Sequence, residues 1–382
     1  MLASDKNLSR DNSMTDQLLK RIHNKSLLNI AEKVIQGIPV SEGDAMFMLT
    51  SNDILELGAI AHHMRTQLHG DRVFYGVNMN LNYTNICELR CPLCAFSRDE
   101  EDEDAYLLSL DEIETRVKEA VCLGIDEVHI VGGLHPHLRI EYFEEMLRRI
   151  KGIDSNLFIV AFTAVEYDYL ARINKLPLKE VFTRLIDAGL GALPGGGAEI
   201  FAPEIRRIIA PKKISGKRWL EVMRTAHSLG LKTNVTMLYN HCEDVQDIVD
   251  HLSQIRLVQE ERSGFKTFVP LPYHDSHTQI QARRRETTGL EDIRLFATSR
   301  IFLHNIPHLK ALWMYLGDKM AQVLLRFGVD EMGATYHNER IVHAAGATTP
   351  DYGSEAHLRR LIENSGLQPL RTTANYEPAG GT

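Results

Sequence analysis

The stretch that decides the fold is residues 110–131, LDEIETRVKEAVCLGIDEVHIV, in which a helix pattern passes through a glycine into a strand pattern. The apolar residues that recur at helical spacing are Leu110, Ile113, Val117 and Val121. Gly124 follows at the place where a helix would end, and residues 127–131 form a short apolar run. We predict a helix–turn–strand unit, with Cys122 as a buried thiol on the helix.

The same alternation continues along the chain. Eight apolar or β-rich runs are separated by helix-like segments, and the runs lie at 74–82, 127–131, 157–162, 190–193, 232–237, 266–271, 309–313 and 329–333. Strands that alternate with helices indicate parallel βαβ units, and eight such units predict an α/β fold of the (βα)8, TIM-barrel type. We expect residues 1–70 to form an N-terminal helical extension, 71–365 the barrel, and 366–382 a loosely ordered C-terminal tail.

Composition sets the class of protein. The chain has 382 residues, of which 44% are hydrophobic and 25% charged, as is ordinary for a soluble globular protein. Its first residues are polar, and no stretch approaches the roughly 18 apolar residues of a membrane span. The net charge of −8 disfavours non-specific binding to nucleic acid. We therefore expect a cytoplasmic protein without a membrane or nucleic-acid partner.

Three of the five cysteines follow the first predicted strand, in the segment NLNYTNICELRCPLCAFSRDE at residues 80–100. Cys87, Cys91 and Cys94 are spaced Cys-x3-Cys-x2-Cys, and thiolates suit iron–sulfur clusters or zinc. A structural zinc site usually takes four ligands, and no second cysteine pair is present. Three thiolates on a four-iron cluster would leave one iron open to a small molecule, so an iron–sulfur site is favoured over zinc.

This spacing resembles the signature of the radical S-adenosylmethionine (SAM) superfamily, which carries it at the end of the first barrel strand. The resemblance implies a [4Fe-4S] cluster whose open iron chelates SAM, which is then cleaved to methionine and a 5′-deoxyadenosyl radical. It also implies that Leu93 lies against the adenine and that Phe96 occupies the aromatic position beyond it. A one-electron donor such as flavodoxin or ferredoxin is implied as a partner.

The resemblance also implies which residues hold SAM. Gly132 and Gly133, at the end of the second strand, allow close backbone approach and match the segment that binds the methionine amino group. Glu199, after three glycines at the end of the fourth strand, matches an acidic residue of biotin-synthase-like members. Arg218 matches their arginine on the next helix, and it would bind the methionine carboxylate or orient Glu199; an exposed salt bridge is its alternative. Thr163 could add a hydroxyl contact.

Five stretches indicate the subgroup of the superfamily, and they read GGLHP, AFTAVEY, LPGGGAEIF, LKTNVTMLY and NIPHLKALW. They resemble the futalosine-pathway enzymes of menaquinone biosynthesis and the related deazaflavin-forming enzymes, and AFTAVE and GGGAEIF are most similar to aminofutalosine synthases. The resemblance spans about residues 40–365; Asn240 departs from it, standing where glycine is expected. It implies that the radical adds to the enol double bond of 3-[(1-carboxyvinyl)oxy]benzoate, giving 6-amino-6-deoxyfutalosine with loss of bicarbonate or carbon dioxide.

That substrate is an aromatic enolpyruvyl dicarboxylate, so we expect cationic or hydrogen-bonding groups at the mouth of the barrel. His135 and His343, each after a strand, are the predicted rim residues that hold it, although any one of 17 histidines is more often structural. Further candidates for substrate contact are Thr84, Asn234, His241, Arg300 and Trp313; a core position is the alternative for Trp313.

Two other functions stay open at this stage. One is a radical cyclase of the cyclic dehypoxanthine futalosine synthase type, which begins with hydrogen abstraction. The other is a non-enzymatic iron–sulfur electron carrier, although carriers usually protect their cluster with four protein ligands.

Overall fold

The computed structural model describes residues 15–283, 287–336 and 338–379. The first 14 residues of the predicted extension and the last three of the predicted tail lie outside the described residues. Among the helices that are described, none combines the length and the apolar character needed to cross a membrane.

Within the described residues, ten strands form two parallel sheets. The strands are β1 (Arg72–Gly76), β2 (Asn78–Leu81), β3 (Glu127–Ile130), β4 (Phe158–Ala161), β5 (Ala192–Leu193), β6 (Lys232–Tyr239), β7 (Phe265–Pro272), β8 (His308–Leu309), β9 (Glu331–Ala334) and β10 (Gln368–Arg371). Strands β2 to β8 lie side by side in chain order and curl into a half-barrel. The second sheet has the order β10-β1-β9. A parallel bridge between Lys310 and Glu331 connects the two sheets, and β1 runs through Val77 into β2.

Helices alternate with these strands. Among the described residues, those before the barrel include a helical segment at 15–20 and the helices α1 (Lys25–Ile35), α2 (Glu42–Thr50) and α3 (Ile54–His69). The others are α4 (Leu110–Cys122), α5 (Ile140–Ile153), α6 (Ala164–Asn174), α7 (Leu178–Asp187), α8 (Pro203–Ile209), α9 (Gly216–Ser228), α10 (Val245–Glu261), α11 (Gly289–Phe302), α12 (Trp313–Leu316), α13 (Asp318–Leu324), α14 (Ile341–Ala344) and α15 (Glu355–Asn364). Each of the eight predicted runs overlaps a strand, although the run 309–313 shares only Leu309 with β8, and the predicted α/β barrel fold with helices before it is confirmed.

Residues 110–131 fold into the predicted helix, turn and strand, with one exception. Ser109 and Glu112 form a capping box that starts α4, and Gly124 follows the helix with φ of +80°. Ile113 and Val117 are buried against the sheet. The prediction of a buried Cys122 is wrong, because this residue lies on the outer face of α4 and is exposed.

The C-terminal segment corrects a second prediction. Residues from 366 to 379 are not loosely ordered, because β10 pairs with β1 in a parallel ladder. The ring of Tyr376 stacks on His308 with centroids 3.4 Å apart, and the carbonyl of Ala374 accepts a hydrogen bond from the Lys266 ammonium. Buried partners therefore order a segment whose composition alone is that of a tail.

The residue that departs from the family pattern fits its turn. Asn240 follows β6 with φ of +71°, the left-handed region that favours glycine. Asparagine adopts this region more readily than most other residues. The backbone N–H of Asn240 donates to the Glu243 carboxylate at 2.7 Å. The turn that glycine would make is therefore kept.

Candidate active site

A cavity of about 350 Å³ lies inside the half-barrel, at a volume typical of small-molecule sites. Its upper end is formed by the loops that follow the strands, which is where (βα)8 enzymes carry their active sites. Of the predicted site residues, those that line it are Cys87, Cys91, Leu93, Cys94, Phe96, Gly132, Gly133, Thr163, Glu199 and Asn234. Segments far apart in the chain therefore meet there as the fold class predicts.

The cysteine loop is held by backbone hydrogen bonds to neighbouring segments. The Cys87 amide donates to the Arg98 carbonyl at 3.0 Å, and the Leu93 amide donates to the carbonyl of Ile209 at the end of α8 at 3.2 Å. Glu88, next to the first cysteine, donates its amide to the Leu134 carbonyl at 3.1 Å. The loop is thus positioned by main-chain groups, which leaves its three thiols available to a ligand.

The three thiols fit a multi-iron cluster better than a single ion. Two thiolates on one tetrahedral zinc lie about 3.8 Å apart, given a zinc–sulfur bond of roughly 2.3 Å. Among the described residues, the group of metal-ligating atoms that all lie within 4.8 Å of one another is a different one, His69, His308 and Asp330. Three cysteines on one loop supply three thiolates, one fewer than the four ligands that a structural zinc ion usually takes, and they suit a four-iron cluster with one open iron.

The His69, His308 and Asp330 group belongs to the base of the barrel. Asp330 already accepts hydrogen bonds from the Arg300 guanidinium, from the His308 ring and from the Leu309 amide. The two histidine rings stack with centroids 4.7 Å apart. Their geometry is that of a satisfied buried ion pair with packed rings, and it serves structure.

The thiols need a positive neighbour to ionise. Burial raises the pKa of Cys91 to about 11, and charge on Cys94 and Cys87 acts in the same direction. The ammonium of Lys213 acts against this shift from nearby. A metal cluster supplies the stronger positive charge, so the donor set suits one.

Gly132 and Gly133 are required because two loops touch here. A Cβ on Gly133 would lie 2.1 Å from the Ile86 carbonyl oxygen, and one on Gly132 would lie 2.5 Å from the Tyr83 ring. The glycines let the loop after β3 pack directly on the segment that carries the cysteines. Their amides are satisfied within the protein, since Gly132 donates to Glu166 and Gly133 to the Thr84 carbonyl.

Glu166 is a cavity residue that the sequence prediction missed. Thr163 and Glu166 form the capping box of α6, and the carboxylate also accepts hydrogen bonds from the Tyr83 hydroxyl at 3.0 Å and the Gly132 amide at 3.2 Å. Burial raises the pKa of Glu166 to about 7. The Thr-x-x-Glu spacing in AFTAVEY was the available signal, but it indicated only a helix start.

Glu199 is paired with a lysine that the prediction also missed. The residue has φ of +48°, a strained conformation for a side chain with a Cβ, and its carboxylate lies 2.5 Å from the Lys213 ammonium. Burial opposes ionisation, yet the adjacent Lys213 holds the pKa of Glu199 below its ordinary value. Arg206 fixes the loop by donating to the carbonyls of Ile200 and Ile214.

Arg218 does not take part in the cavity, and its predicted role is corrected. Its guanidinium donates to Asp168 on α6 at 2.7 Å and to Glu221 one turn further along α9. The side chain is 40% exposed, because the first turn of α9 faces α6 and solvent. It forms the exposed salt bridge that was its alternative, and Lys213 stands beside Glu199 instead.

Three of the predicted substrate contacts are loop residues outside the cavity. The Thr84 hydroxyl donates to the Tyr106 carbonyl, and the His135 ring accepts from the His137 amide at 3.2 Å. The buried ring of His241 lies between the Leu238 carbonyl and the Glu243 carboxylate. Each ring or hydroxyl therefore stabilises its own loop, and these predicted contacts are not brought to the site.

Three further predicted residues also lie outside it. His343 contacts the carbonyls of Glu339 and Thr349 through its two ring nitrogens, and its contact with Glu339 raises its pKa to about 9. Arg300 lies at the base of the barrel, paired with Asp330. Trp313 is 1% exposed and donates its indole N–H to the Ala334 carbonyl, as a core residue does.

Three cysteines above a cavity, with a charged pair beside them, form the site of a radical SAM enzyme. Residues 81–255 match the family described as the Radical SAM superfamily, and residues 262–380 match the CofH/MqnC C-terminal region. Two solved structures agree in fold at 16% identity: methylornithine synthase (TM-score 0.72, 90% of this chain and 97% of that one) and the [FeFe]-hydrogenase maturase HydG (TM-score 0.73, 96% and 80%).

Proteins similar to this chain in sequence indicate a smaller group within the radical SAM superfamily. An aminodeoxyfutalosine synthase of Thermus thermophilus is 38% identical over 361 residues, which cover 94% of this chain and 97% of that protein. One from Streptomyces coelicolor is 36% identical, with 91% and 92% covered. A 5-amino-6-(D-ribitylamino)uracil–L-tyrosine 4-hydroxyphenyl transferase of Methanopyrus kandleri is also 36% identical, with 89% and 93% covered. The chain belongs to the radical SAM family that contains the aminodeoxyfutalosine synthases and these transferases.

Proposed function

We propose that this enzyme joins the 5′-deoxyadenosyl group of SAM to 3-[(1-carboxyvinyl)oxy]benzoate and forms 6-amino-6-deoxyfutalosine, with loss of bicarbonate or carbon dioxide, in menaquinone biosynthesis. The observation that carries the proposal is the 38% identity to an aminodeoxyfutalosine synthase along 94% of the chain. The stretches AFTAVEY and LPGGGAEIF support it, because both line or adjoin the cavity.

Cys87, Cys91 and Cys94 would hold the [4Fe-4S] cluster, because all three are free thiols that line the cavity from one loop. When bound, the cluster and one external electron cleave SAM to methionine and a 5′-deoxyadenosyl radical. We propose flavodoxin or ferredoxin as the electron donor. We also place the reaction in the cytoplasm, because all five cysteines are free and such donors belong to a reducing compartment.

The chain's own groups would bind and orient SAM. The Glu199–Lys213 pair carries both charges beside the cysteine loop, and it can meet the ammonium and carboxylate of the methionine moiety. Leu93 and Phe96 offer apolar surface for adenine, and Thr163 lies at the cavity wall. Gly132 and Gly133 let this wall approach closely.

The remaining walls would protect a reactive intermediate. Val131, Val160, Val269 and Leu271 line the middle of the cavity with aliphatic surface. Addition to an alkene needs little acid–base chemistry, so the protein's task is to position the reacting carbon and to exclude water and stray hydrogen donors. An electron carrier would need no cavity beneath its cluster, so the cavity favours an enzyme over that alternative.

A second candidate is favoured by a specific observation, the 36% identity to the 4-hydroxyphenyl transferase of M. kandleri. Reconstituted enzyme, SAM and reductant should be given, in separate reactions, the enolpyruvyl benzoate or L-tyrosine with 5-amino-6-(D-ribitylamino)uracil. Mass spectrometry should find 6-amino-6-deoxyfutalosine in the first reaction and no coupled product in the second. Coupling only in the second would replace the proposed function. In a third reaction, given dehypoxanthine futalosine, free 5′-deoxyadenosine with a cyclised product would indicate the cyclase.

A further inference from the structure

The deep end of the cavity, opposite the cysteine loop, is polar. We call it the floor and define it by Asn80, Glu127, His129 and Lys310, all of which line the cavity. Asn80 on β2 lies directly across from His129 on β3 in the strand register. Lys310 follows β8 and is bridged to Glu331, which begins β9. Strands β2 and β3 and the residue after β8 thus contribute polar side chains to the deep end of the cavity.

The C-terminal segment closes the floor from below. Ala374 lines the cavity, and its carbonyl accepts a hydrogen bond from Lys266 at 2.5 Å. The Tyr376 hydroxyl donates to the Glu331 carboxylate at 2.5 Å, and its ring stacks on His308. The floor is therefore a sealed polar pocket at the end of an apolar cavity.

Charges on the floor can accommodate an added anion. The Lys310 ammonium lies 2.5 Å from the Glu331 carboxylate, which also accepts from Tyr376, so this carboxylate does not depend on Lys310 alone. The Glu127 Oε2 atom, buried at the cavity, finds no hydrogen-bond partner among the described residues, and it can donate to an added carboxylate when Glu127 is protonated. Unsatisfied buried polar atoms at a cavity wall indicate a place for a polar ligand group.

Nearby groups can also adjust their protonation. Burial raises the pKa of Glu127 to about 7 and lowers that of Lys266 to about 7. Burial, with Lys310 and Lys266 in support, also lowers the pKa of His129 to about 3, so its ring is neutral and can donate one hydrogen bond. An added carboxylate would raise the pKa of Glu127 and of Lys266, because its negative charge favours the protonated form of each group.

We infer that Lys310, flanked by His129 and Asn80, binds the ring carboxylate of the substrate at the floor. The inference rests on the proposed function, in which the reacting alkene must face the cysteine loop. The benzoate carboxylate is at the other end of that molecule and therefore points to the opposite end of the cavity. Between the two ends, Val160, Val269 and Leu312 offer an apolar belt for the aromatic ring.

The test compares two substrates in one set of variants. The first is 3-[(1-carboxyvinyl)oxy]benzoate, and the second is its phenyl analogue, which lacks the ring carboxylate. Lys310→Gln should raise KM for the first about ten- to a hundredfold, because a charge-assisted hydrogen bond in a dry site is lost. It should leave KM for the analogue within about twofold of wild type. Lys310→Arg should recover most of the loss, and Lys118→Gln, on the exposed face of α4, is the matched control.

The outcomes separate this inference from the proposed function. Wild-type enzyme is assayed first, and failure to make 6-amino-6-deoxyfutalosine from the benzoate would overturn the proposed function and the floor assignment with it. If wild type makes product but Lys310→Gln weakens both substrates equally, or neither, the floor assignment alone is wrong. Asn80→Val provides a second variant should Lys310→Gln fail to fold. It should raise KM severalfold for the benzoate only. An unchanged ratio of the KM for the benzoate to the KM for the analogue would contradict the assignment.

Discussion

The two ends of the cavity are built in different ways. At the upper end, the cysteine loop is held by main-chain hydrogen bonds, and its functional side chains lie close together in sequence. At the floor, Asn80, His129 and Lys310 come from distant strands, and the surrounding groups are buried ion pairs. A side chain at the upper end can therefore be substituted without removing the main-chain hydrogen bonds that hold its loop. The floor couples ligand binding to the packing of the barrel and of the C-terminal segment.

The largest effect should come from the ligands at the upper end. Cys87→Ala, Cys91→Ala or Cys94→Ala should each abolish activity, because no other thiol lies at the site to replace the missing ligand. Iron content and the visible absorbance of the reconstituted protein measure the loss. Cys122→Ala and Cys242→Ala are matched controls, since both thiols are exposed elsewhere, and both should retain the cluster. Loss of iron from either control would contradict the ligand assignment.

The charged pair should have the next largest effect. Glu199→Gln or Lys213→Met should weaken SAM binding roughly ten- to a hundredfold, since a charge-assisted hydrogen bond is worth about 1.5–3 kcal/mol. Titration of the cluster-loaded protein with SAM measures this. Arg218→Ala should leave the dissociation constant unchanged, because its partners are Asp168 and Glu221. If Arg218→Ala weakened SAM binding more than Glu199→Gln and Lys213→Met, Arg218 would belong to the SAM site.

A smaller effect should distinguish the floor from the upper end. Tyr376→Phe keeps the ring that stacks on His308 but leaves the buried Glu331 carboxylate short of one donor. The free energy of unfolding should fall by about 1–3 kcal/mol, measured by urea denaturation. SAM affinity should stay at the wild-type value. Unchanged stability would mean that the C-terminal segment does not support the floor.

The smallest effect should be the pH dependence of His343. Its contact with Glu339 raises its pKa to about 9, so its stabilising contribution is complete below about pH 6.5 and is lost as pH rises through about 9. The difference in Tm between wild type and His343→Gln should therefore be greatest near pH 6 and should vanish near pH 10. A difference that stays constant with pH would show that the ring acts by packing alone.

Much of the upper end could be predicted from sequence because its signals are local. The cysteine spacing, the paired glycines and Glu199 after its glycines are each contained within a few residues, and all line the cavity. Arg218 and Lys213 show the limit of this approach. Both cations follow the Glu199 loop, but Lys213 lies before α9 and meets Glu199, whereas Arg218 lies in the first turn of α9 and meets Asp168 on α6.

The floor could not be predicted, for a physical reason. Lys310 and Glu331 are 21 positions apart and read as ordinary charged residues until the bridge between their strands brings them together. The structure does not bring the predicted substrate histidines to the cavity. His135 and His343 follow strands as expected, but one ring nitrogen of His135 and both ring nitrogens of His343 contact groups of their own segments. Position along a barrel strand predicts the region of a side chain and not its partner.

In the proposed reaction, one end of the cavity generates the radical while the other end holds its acceptor. The most direct test is the ratio of 6-amino-6-deoxyfutalosine to free 5′-deoxyadenosine, measured with saturating SAM in wild type and in Lys310→Gln. The variant should still cleave SAM, but the ratio should fall at a fixed benzoate concentration near the wild-type KM, because a poorly held alkene lets the radical take a hydrogen atom elsewhere. Equal ratios in the two proteins would contradict the account.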